Sequence, residues 1–280
     1  VSHKRVIVVS GGTDGMGRAL VLARAERGDQ VVAIGSNADK GRALLARAAE
    51  IGAADRVEFL QADLSSVAGT HGVIDTVRGR WPVVDALALF ANRQAPKRIV
   101  TADGLEATFA LYYLSRYLLS HGLRAALDRA PAPVIVNVAG VGTTKGSIRW
   151  DDLQSADRYS MISAQLQAGR ANDLLGVDFA AHSGSRARYV LYHPGFTRSG
   201  DLTPLPVVLR AVIRAAASIS ARPVAESVRP IVGWVDTPPD APLTAIDRHK
   251  PVPLKTSTLD PGDAQRLATA TKDILAWITA

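Results

Sequence analysis

The residues best suited to chemistry at the start of this chain are glycines. The run "SGGTDGMG" (residues 10–17) follows the apolar stretch "VIVVS" directly. Gly11, Gly15 and Gly17 are spaced so that the first makes a tight turn and the second lets main chain approach a pyrophosphate. The third lets the next helix pack on the strand, with the helix N-terminus facing the negative charge. Thr13, Met16 and Arg18 sit in or just past this loop and would border the same phosphates. A glycine-rich turn alone is weak evidence. Its place between a buried strand and a helix makes dinucleotide binding the expected role.

The end of the second strand discriminates between dinucleotides. An acid there would hold a ribose 2′-hydroxyl and repel a 2′-phosphate. The sequence has Gly35-Ser36-Asn37 instead, with Lys40 beyond it and Arg18 nearby, a set that favours NADP(H) over NAD(H). Asn37 also reads as the N-cap of the following helix, and both roles suit one side chain. In "QADLSS", Asp63 is placed either to meet the adenine amino group or to cap a helix, with Leu64 beside it.

Repeated strand–helix alternation positions these residues. "KRVIVVS", "QVVAIG", "RVEFLQAD", "VVDALALFA", "APVIVNVAG" and "RARYVLYHPG" read as strands, and Ala-, Leu- and Arg-rich segments of helical period separate them. The near-continuous apolar character of the middle strands predicts a sheet covered on both faces. The fold expected is α/β, a Rossmann-type doubly wound parallel sheet over residues 1–280 as a single domain. A small lid insertion is expected at about 198–223, where "LTPLPVV" and an apolar helix interrupt the alternation. Pro238, Pro239, Pro242, Pro251 and Pro253 predict an irregular, surface-wrapping stretch. "DPGDAQRLATATKDILAWI" then reads as a closing helix with Asp260 as N-cap and Pro261 at its first position.

Composition narrows the function classes. The net charge is +7, but the arginines are scattered along helices, so a solvated surface is expected and nucleic-acid binding is not. With 0 cysteines, thiolate chemistry and Cys-ligated zinc are excluded, and no metal site is expected. Lys4 and Arg5 lead straight into the first strand, which predicts no signal peptide. Arg210 and Arg214 interrupt the most apolar late stretch, so no membrane span is expected and a cytoplasmic location is the default reading. The preference for Ala and Arg over Lys suggests a high-GC bacterial gene.

With these pieces in line, the chain resembles the short-chain dehydrogenase/reductase family over nearly its whole length, in particular its retinol-dehydrogenase-like branch. The family's TGxxxGxG loop matches Ser10–Gly17 with Ser for Thr. "VTADGLEATFALYYLSRYLL" is similar to TxDGxExxFxxNxLxxFLL, "GSIRWDDL" to GxIxFDDL, and "HPGFTRS" to HPGxxRT. The resemblance implies that Ala91, in the "LFAN" turn that replaces NNAG, borders the cofactor, as do Pro194 and Gly195. It also implies a catalytic set in which a Lys lowers the pKa of a Tyr general acid/base, a Ser orients the substrate oxygen and an Asn completes a proton relay. A phenol is a poor base at neutral pH without such a cation.

At those positions the sequence departs from the family. "IVNVAG" aligned with IVNVSS puts Gly140 at the Ser. "QLQAGRAND" aligned with YxxSKLANV puts Gln165 at the Tyr and Gly169 at the Lys, and Tyr112 falls at the Asn. Tyr159 is a rival for the Tyr, but four residues on stands Ser163, so a packing role is expected for it. Tyr112 and Gln165 remain as neutral donors. Tyr113, next to Tyr112, points about 100° away. Thr143, Thr144 and Lys145 follow the fifth strand at the edge where ligands bind, and His193 reads as structural. Three functions follow. The first is a redox-neutral enzyme of bacterial secondary metabolism (cyclisation, isomerisation or dehydration) acting on a small hydrophobic substrate, with the cofactor structural or absent. The second is an NADPH-dependent carbonyl reductase using Tyr112, and the third is an inactive regulatory or scaffold homologue. The helices "YYLSRYLLSHGLRAAL" and "AGRANDLLGVDFAAH" permit pairing with a second copy.

Overall fold

A computed structural model describes residues 4–195 and 223–279 of the chain. Eight strands form one sheet in the order β3-β2-β1-β4-β5-β6-β7-β8. They are β1 (Val6–Ser10), β2 (Gln30–Gly35), β3 (Val57–Gln61), β4 (Ala86–Leu89), β5 (Val134–Val138), β6 (Arg188–His193), β7 (Leu243–Asp247) and the two-residue β8 (Lys250–Pro251). All pairings are parallel except β7–β8. The strand order reverses between β1 and β4, which opens a crevice at the C-terminal ends of those strands. This is the doubly wound, single-domain architecture the alternation predicts. The lid expected at about 198–223 lies outside the described residues apart from Pro223.

Period-two burial divides the strands between two cores. Ile7, Val9, Val31 and Ala33 pack under α1 (Gly15–Glu26), α2 (Ala38–Glu50) and α7 (Val224–Asp236). Val8, Val32, Leu87 and Ile135 face the opposite layer, made by α3 (Val67–Arg80), α4 (Ser115–Gly122) and α6 (Met161–His182). The short α5 (Arg124–Leu127) follows α4, and α8 (Pro261–Thr279) packs outside α6. With helices on both faces, alternate side chains of one strand enter different cores, so the strands are apolar throughout.

Two local outcomes differ from the sequence reading. The Pro-rich stretch is not wholly irregular, because Leu243–Asp247 inside it adds β7 to the sheet with Ala245 buried. The prolines flank that segment, and Pro251 lies in the edge strand β8, where a missing N–H costs no ladder bond. Helix α7 forms with Pro230 in its interior. The end of the chain matches expectation: Pro261 opens α8, and the Asp260 carboxylate accepts from Asp263 N–H at 2.8 Å.

Arg24, on α1, is 1% exposed and clamps this helix to α7. Its Nε donates to Asp29 Oδ2 at 2.7 Å, and one terminal nitrogen donates to Asp236 Oδ1 at 2.8 Å and to the Val232 carbonyl at 3.1 Å. Removing one partner of such a pair leaves a buried, uncompensated charge on Asp29. Arg24→Ala is therefore expected to cost about 3–5 kcal/mol of folding stability, measured as a lower urea midpoint with an unchanged slope.

Candidate active site

The glycine loop is built for close approach. Gly11 has φ +69°, and a Cβ there would stand 2.9 Å from Ala91 N; one on Gly17 would stand 2.1 Å from the Gly11 carbonyl oxygen. No other residue type fits either place without moving main chain. Asp14 caps α1 by accepting from Gly15 N–H at 2.7 Å, and its other oxygen accepts from Lys40 Nζ at 2.6 Å. Burial alone would raise the Asp14 pKa. The Lys40 ammonium and the Gly15 N–H outweigh that and hold it below the ordinary carboxylate range. Thr13, Met16 and Leu64 are buried beneath the loop, while Arg18, Ser36 and Asn37 are exposed around its mouth. Asn37 does cap α2, accepting from Lys40 N–H at 2.9 Å. Asp63 instead makes a turn, accepting from the backbone N–H and hydroxyl of Ser65 at 2.9 and 2.7 Å, and the cap of α3 is Ser66. The Asp14–Lys40 pair escaped the sequence reading, although an acid inside a phosphate loop is itself a signal for a nearby cation.

At the other end of the crevice, Phe109–Leu114 forms a π-helical turn that runs into α4. Such widened turns recur at functional sites. Asn172 Nδ2 donates to the Tyr112 carbonyl at 2.7 Å across the widened turn. Tyr112 and Tyr113 diverge as the helix geometry requires. The Tyr113 hydroxyl meets Thr271 Oγ1 at 2.7 Å, and the Tyr112 ring lies 4.6 Å from the guanidinium of Arg116. Burial pushes the Tyr112 phenol up; Arg116 opposes this and Asp173 adds to it. Arg116 is fully buried and faces carbonyl oxygens, not a carboxylate. It donates to Asn137 Oδ1, to the Val138 carbonyl at 2.8 Å and to the Ala91 carbonyl at 2.9 Å. Burial draws its pKa down to about 10, which leaves it charged at neutral pH.

The positions that the resemblance assigns to catalytic side chains are open or committed elsewhere. A Cβ on Gly169 would meet nothing within 4 Å, and one on Gly140 would meet only Thr143 Oγ1 at 4.0 Å. The Gln165 amide is engaged on both atoms. Its Oε1 accepts from Asn92 Nδ2 at 2.9 Å, and its Nε2 donates to Asn92 Oδ1 and the Arg93 carbonyl at 3.2 and 3.0 Å. This use braces the turn after β4 and occupies the donor that would polarise a carbonyl. Tyr159 donates to the Ala95 carbonyl, in keeping with a packing role. Lys145 and Thr144 are exposed and Thr143 half-buried.

At the far edge, His193 ends β6 beside Asp247 on β7, with Nδ1 and Oδ1 2.8 Å apart. Pro194 and Gly195 follow, and Gly195 at φ +82° packs against the Arg248 side chain. A cleft of about 310 Å³ opens there, lined by residues including Gly142, Thr144, Asp247, Lys250, Val252 and Thr258. This is the lower end of the size range for small-ligand sites. Among the described residues, no group of His, Asp and Glu could hold a metal, and no helix is long and apolar enough to cross a membrane.

Residues 5–152 match the short chain dehydrogenase family. The chain belongs to that family. Among curated relatives of this family member, "Putative daunorubicin C-13 ketoreductase DnrU" of Streptomyces sp. (strain C5) is 30% identical over 196 residues, 70% of this chain and 67% of the relative. Human polyprenol dehydrogenase is also 30% identical, over 59% of this chain and 51% of its own length. Bovine retinol dehydrogenase 12 is 26% identical, over 70% and 62%. The chain thus spans between about half and two thirds of these relatives. Two solved structures share the fold. An uncharacterized protein from Mycobacterium paratuberculosis superposes with TM-score 0.72 and 22% identity, covering 96% of this chain and 92% of its own. A short-chain dehydrogenase from Streptomyces avermitilis gives 0.64 and 18%, covering 100% and 96%.

One buried acid in the family member's α6 escaped the sequence reading. Asp173 is 1% exposed and accepts from Arg170 at 2.8 Å through Oδ2, while Oδ1 has no partner. Arg170 also holds the Thr143, Gly146 and Thr258 carbonyls, tying the loop after β5 to the approach to α8. Burial pushes Asp173 up to about 7 against the opposing pull of Arg170. The folded state therefore binds this proton more tightly than the unfolded chain. Stability is greatest below the ordinary carboxylate pKa near 4, falls as pH rises from there to about 7, and is level above. Asp173→Asn should remove that slope, at most about 1.4 kcal/mol per pH unit, as read from urea denaturation at several pH values.

Proposed function

We propose that this chain binds NADP(H) through the loop Gly11–Gly17 and carries out a redox-neutral cyclisation, isomerisation or dehydration on a small hydrophobic molecule. The observation that carries the redox-neutral part is the set of side chains at the family's proton-handling positions. Gly140 and Gly169 bring none, and the amide of Gln165 is committed to Asn92 and Arg93. Hydride transfer to a carbonyl needs a proton delivered to the same oxygen, and a neutral amide cannot supply it.

The close main-chain packing at Gly11 and Gly17, where a Cβ would strike backbone, supports cofactor binding, because a tight glycine turn leading into a helix N-terminus suits a diphosphate. When bound, a nicotinamide cofactor supplies or accepts hydride. Without a Lys at position 169, its ribose would lose a cationic contact. Arg18, Asn37 and Lys40, the last paired with Asp14, would favour a 2′-phosphate. A ketoreductase is the second reading, favoured by the name of the Streptomyces relative, a ketoreductase, with Tyr112 beside Arg116 as its hydroxyl donor. The similarity to retinol dehydrogenase 12 supports placement in the retinol-dehydrogenase-like branch.

Fluorescence titration should show NADPH binding, with no NADPH consumption across a panel of apolar ketones and aldehydes; steady turnover by the wild type would establish the second reading instead. The open space at Gly140 and Gly169 makes a converse test practical. The triple variant Gly140→Ser, Gln165→Tyr, Gly169→Lys is expected to gain NADPH-dependent ketone reduction at least about 100-fold above wild type. Asp14→Asn keeps the helix cap and removes a negative charge beside the loop, so it should tighten NADPH binding about 3- to 10-fold and leave NADH binding nearly unchanged.

A further inference from the structure

The reading of a redox-neutral enzyme leaves a question, since cyclisation, isomerisation and dehydration all need a proton moved. The groups at the family's usual place on α6 do not move one. The other elements that end at the C-terminal edge of the sheet contain an imidazole–carboxylate pair, His193 on β6 and Asp247 on β7. The two are register partners on adjacent parallel strands, so their side chains leave the sheet on the same face. Nδ1 of His193 lies 2.8 Å from Asp247 Oδ1. Asp247 is held in turn by the Arg248 guanidinium, with Nε at 3.2 Å from Oδ1 and a terminal nitrogen at 3.3 Å from Oδ2. Arg248 N–H also donates to the His193 carbonyl at 2.6 Å, which locks the strand ends together. An ionised carboxylate only accepts, so His193 Nδ1 carries the hydrogen of this bond. Nε2, on the far side of the ring, is left to take or give a proton.

The place of this pair fits the missing function. Val138 pairs with Tyr192, and Ala139 N–H donates to the Tyr192 carbonyl at 3.0 Å, so Ala139 is the neighbour of His193 across β5. The next residue is Gly140, whose absent side chain leaves open space bordered by the Thr143 hydroxyl. On the other side, Asp247 lines the 310 Å³ cleft. Both members are partly solvent-accessible, at 29% and 24% of their side-chain area, and so within reach of a ligand.

We propose that His193, oriented by Asp247, is the acid/base group of this enzyme, moving a proton to and from a carbon beside the carbonyl of an apolar ketone or hydroxyketone. The imidazole Nε2 takes the proton as the C–H bond breaks, and the electron pair moves onto the carbonyl oxygen to give an enolate. The Thr143 hydroxyl donates to that oxygen. In the isomerisation of a hydroxyketone the hydroxyl proton passes to the enolate oxygen, the imidazolium returns its proton to the former carbonyl carbon, and the carbonyl re-forms at the neighbouring carbon. In a dehydration the pair re-forms the carbonyl, expels a β-hydroxyl, and the proton leaves with it as water. Neither route consumes an oxidant or a reductant. This assignment rests on the redox-neutral reading above and reverses the structural role that the sequence suggests for His193.

The test is hydrogen exchange of 2-tetralone in D₂O, followed by proton NMR, with the full chain and without added cofactor. NADPH titration is run in parallel on every variant. Wild type should exchange the acidic C–H positions faster than buffer. His193→Ala should lower the enzymatic rate by about 100-fold or more, with recovery on adding free imidazole, and Asp247→Asn should fall between the two. His193→Gln, which keeps a polar planar group against Asp247, serves as a second variant if Ala loosens the strand ends. Exchange no faster than buffer in wild type, or equal in wild type and the folded His193 variants, would overturn the proposal. Exchange dependent on His193 in a protein that does not bind NADPH would uphold it while removing the cofactor half of the preceding reading. Ketone reduction by wild type, with exchange indifferent to His193, would remove both.

Discussion

A guanidinium taken wholly out of water must find acceptors for its hydrogens, and around Arg116 that requirement organises the floor of the crevice. Its partners are the Ala91 carbonyl after β4, the Val138 carbonyl of β5, and the Asn137 side chain. None is a carboxylate, so the charge is spread over neutral dipoles and the Tyr112 ring and not cancelled by an ion pair. Moving β4, β5 or α4 relative to the others would strand a buried cation, at a cost of several kcal/mol. The elements β4, β5 and α4 are in this way fixed to one another by one side chain.

The same constraint spreads outward through neutral hydrogen bonds. Asn137 Nδ2 donates to Asn172 Oδ1 and to the Tyr189 hydroxyl, both at 3.0 Å, which brings in α6 and β6. Asn172 passes the contact to the Tyr112 carbonyl in the π-helical turn. This buried network, in which Arg116 Nε alone of the guanidinium nitrogens lacks a partner among the described residues, favours one arrangement, because each shifted alternative leaves further groups unpaired. It also accounts for the raised pKa of its phenols. Burial pushes Tyr189 up to about 12 even with Asn137 and Arg116 beside it. In this interior burial keeps the phenols of Tyr112 and Tyr189 protonated at neutral pH.

The crevice has two ends with different physical characters. At the end with the glycine loop, positive φ at Gly11 and the absent Cβ atoms let main chain pack closely, and the Asp14–Lys40 pair sits beside it. At the far end, the features that matter are side-chain vacancies at Gly140 and Gly169 and a polar edge at His193, Asp247 and Arg248. Arg170 links the loops over that edge, holding three carbonyls from two segments against α6. Helix α6 thus provides the clamp.

Alternation of apolar runs and helical periods was enough to determine the sheet, its parallel sense and the place of the glycine loop, because those features follow from local spacing and from burial of whole strands. Caps at Asn37 and Asp260 were legible for the same reason, since a cap is satisfied within four residues. Asp63 was only half legible, because turn and cap share one local vocabulary. β7 was hidden because flanking prolines mask a five-residue strand that pairs with β8 and whose pairing with β6 and buried Ala245 are set by distant segments. What tertiary structure alone decided are the pairings distant in sequence. Arg116 under Tyr112 looks in the sequence like any surface arginine, Asp173 like any helical acid, and His193 like a turn residue. Each acquires its property from groups on other elements, because desolvation and hydrogen-bond partners are set by where the chain returns and not by what stands next in line.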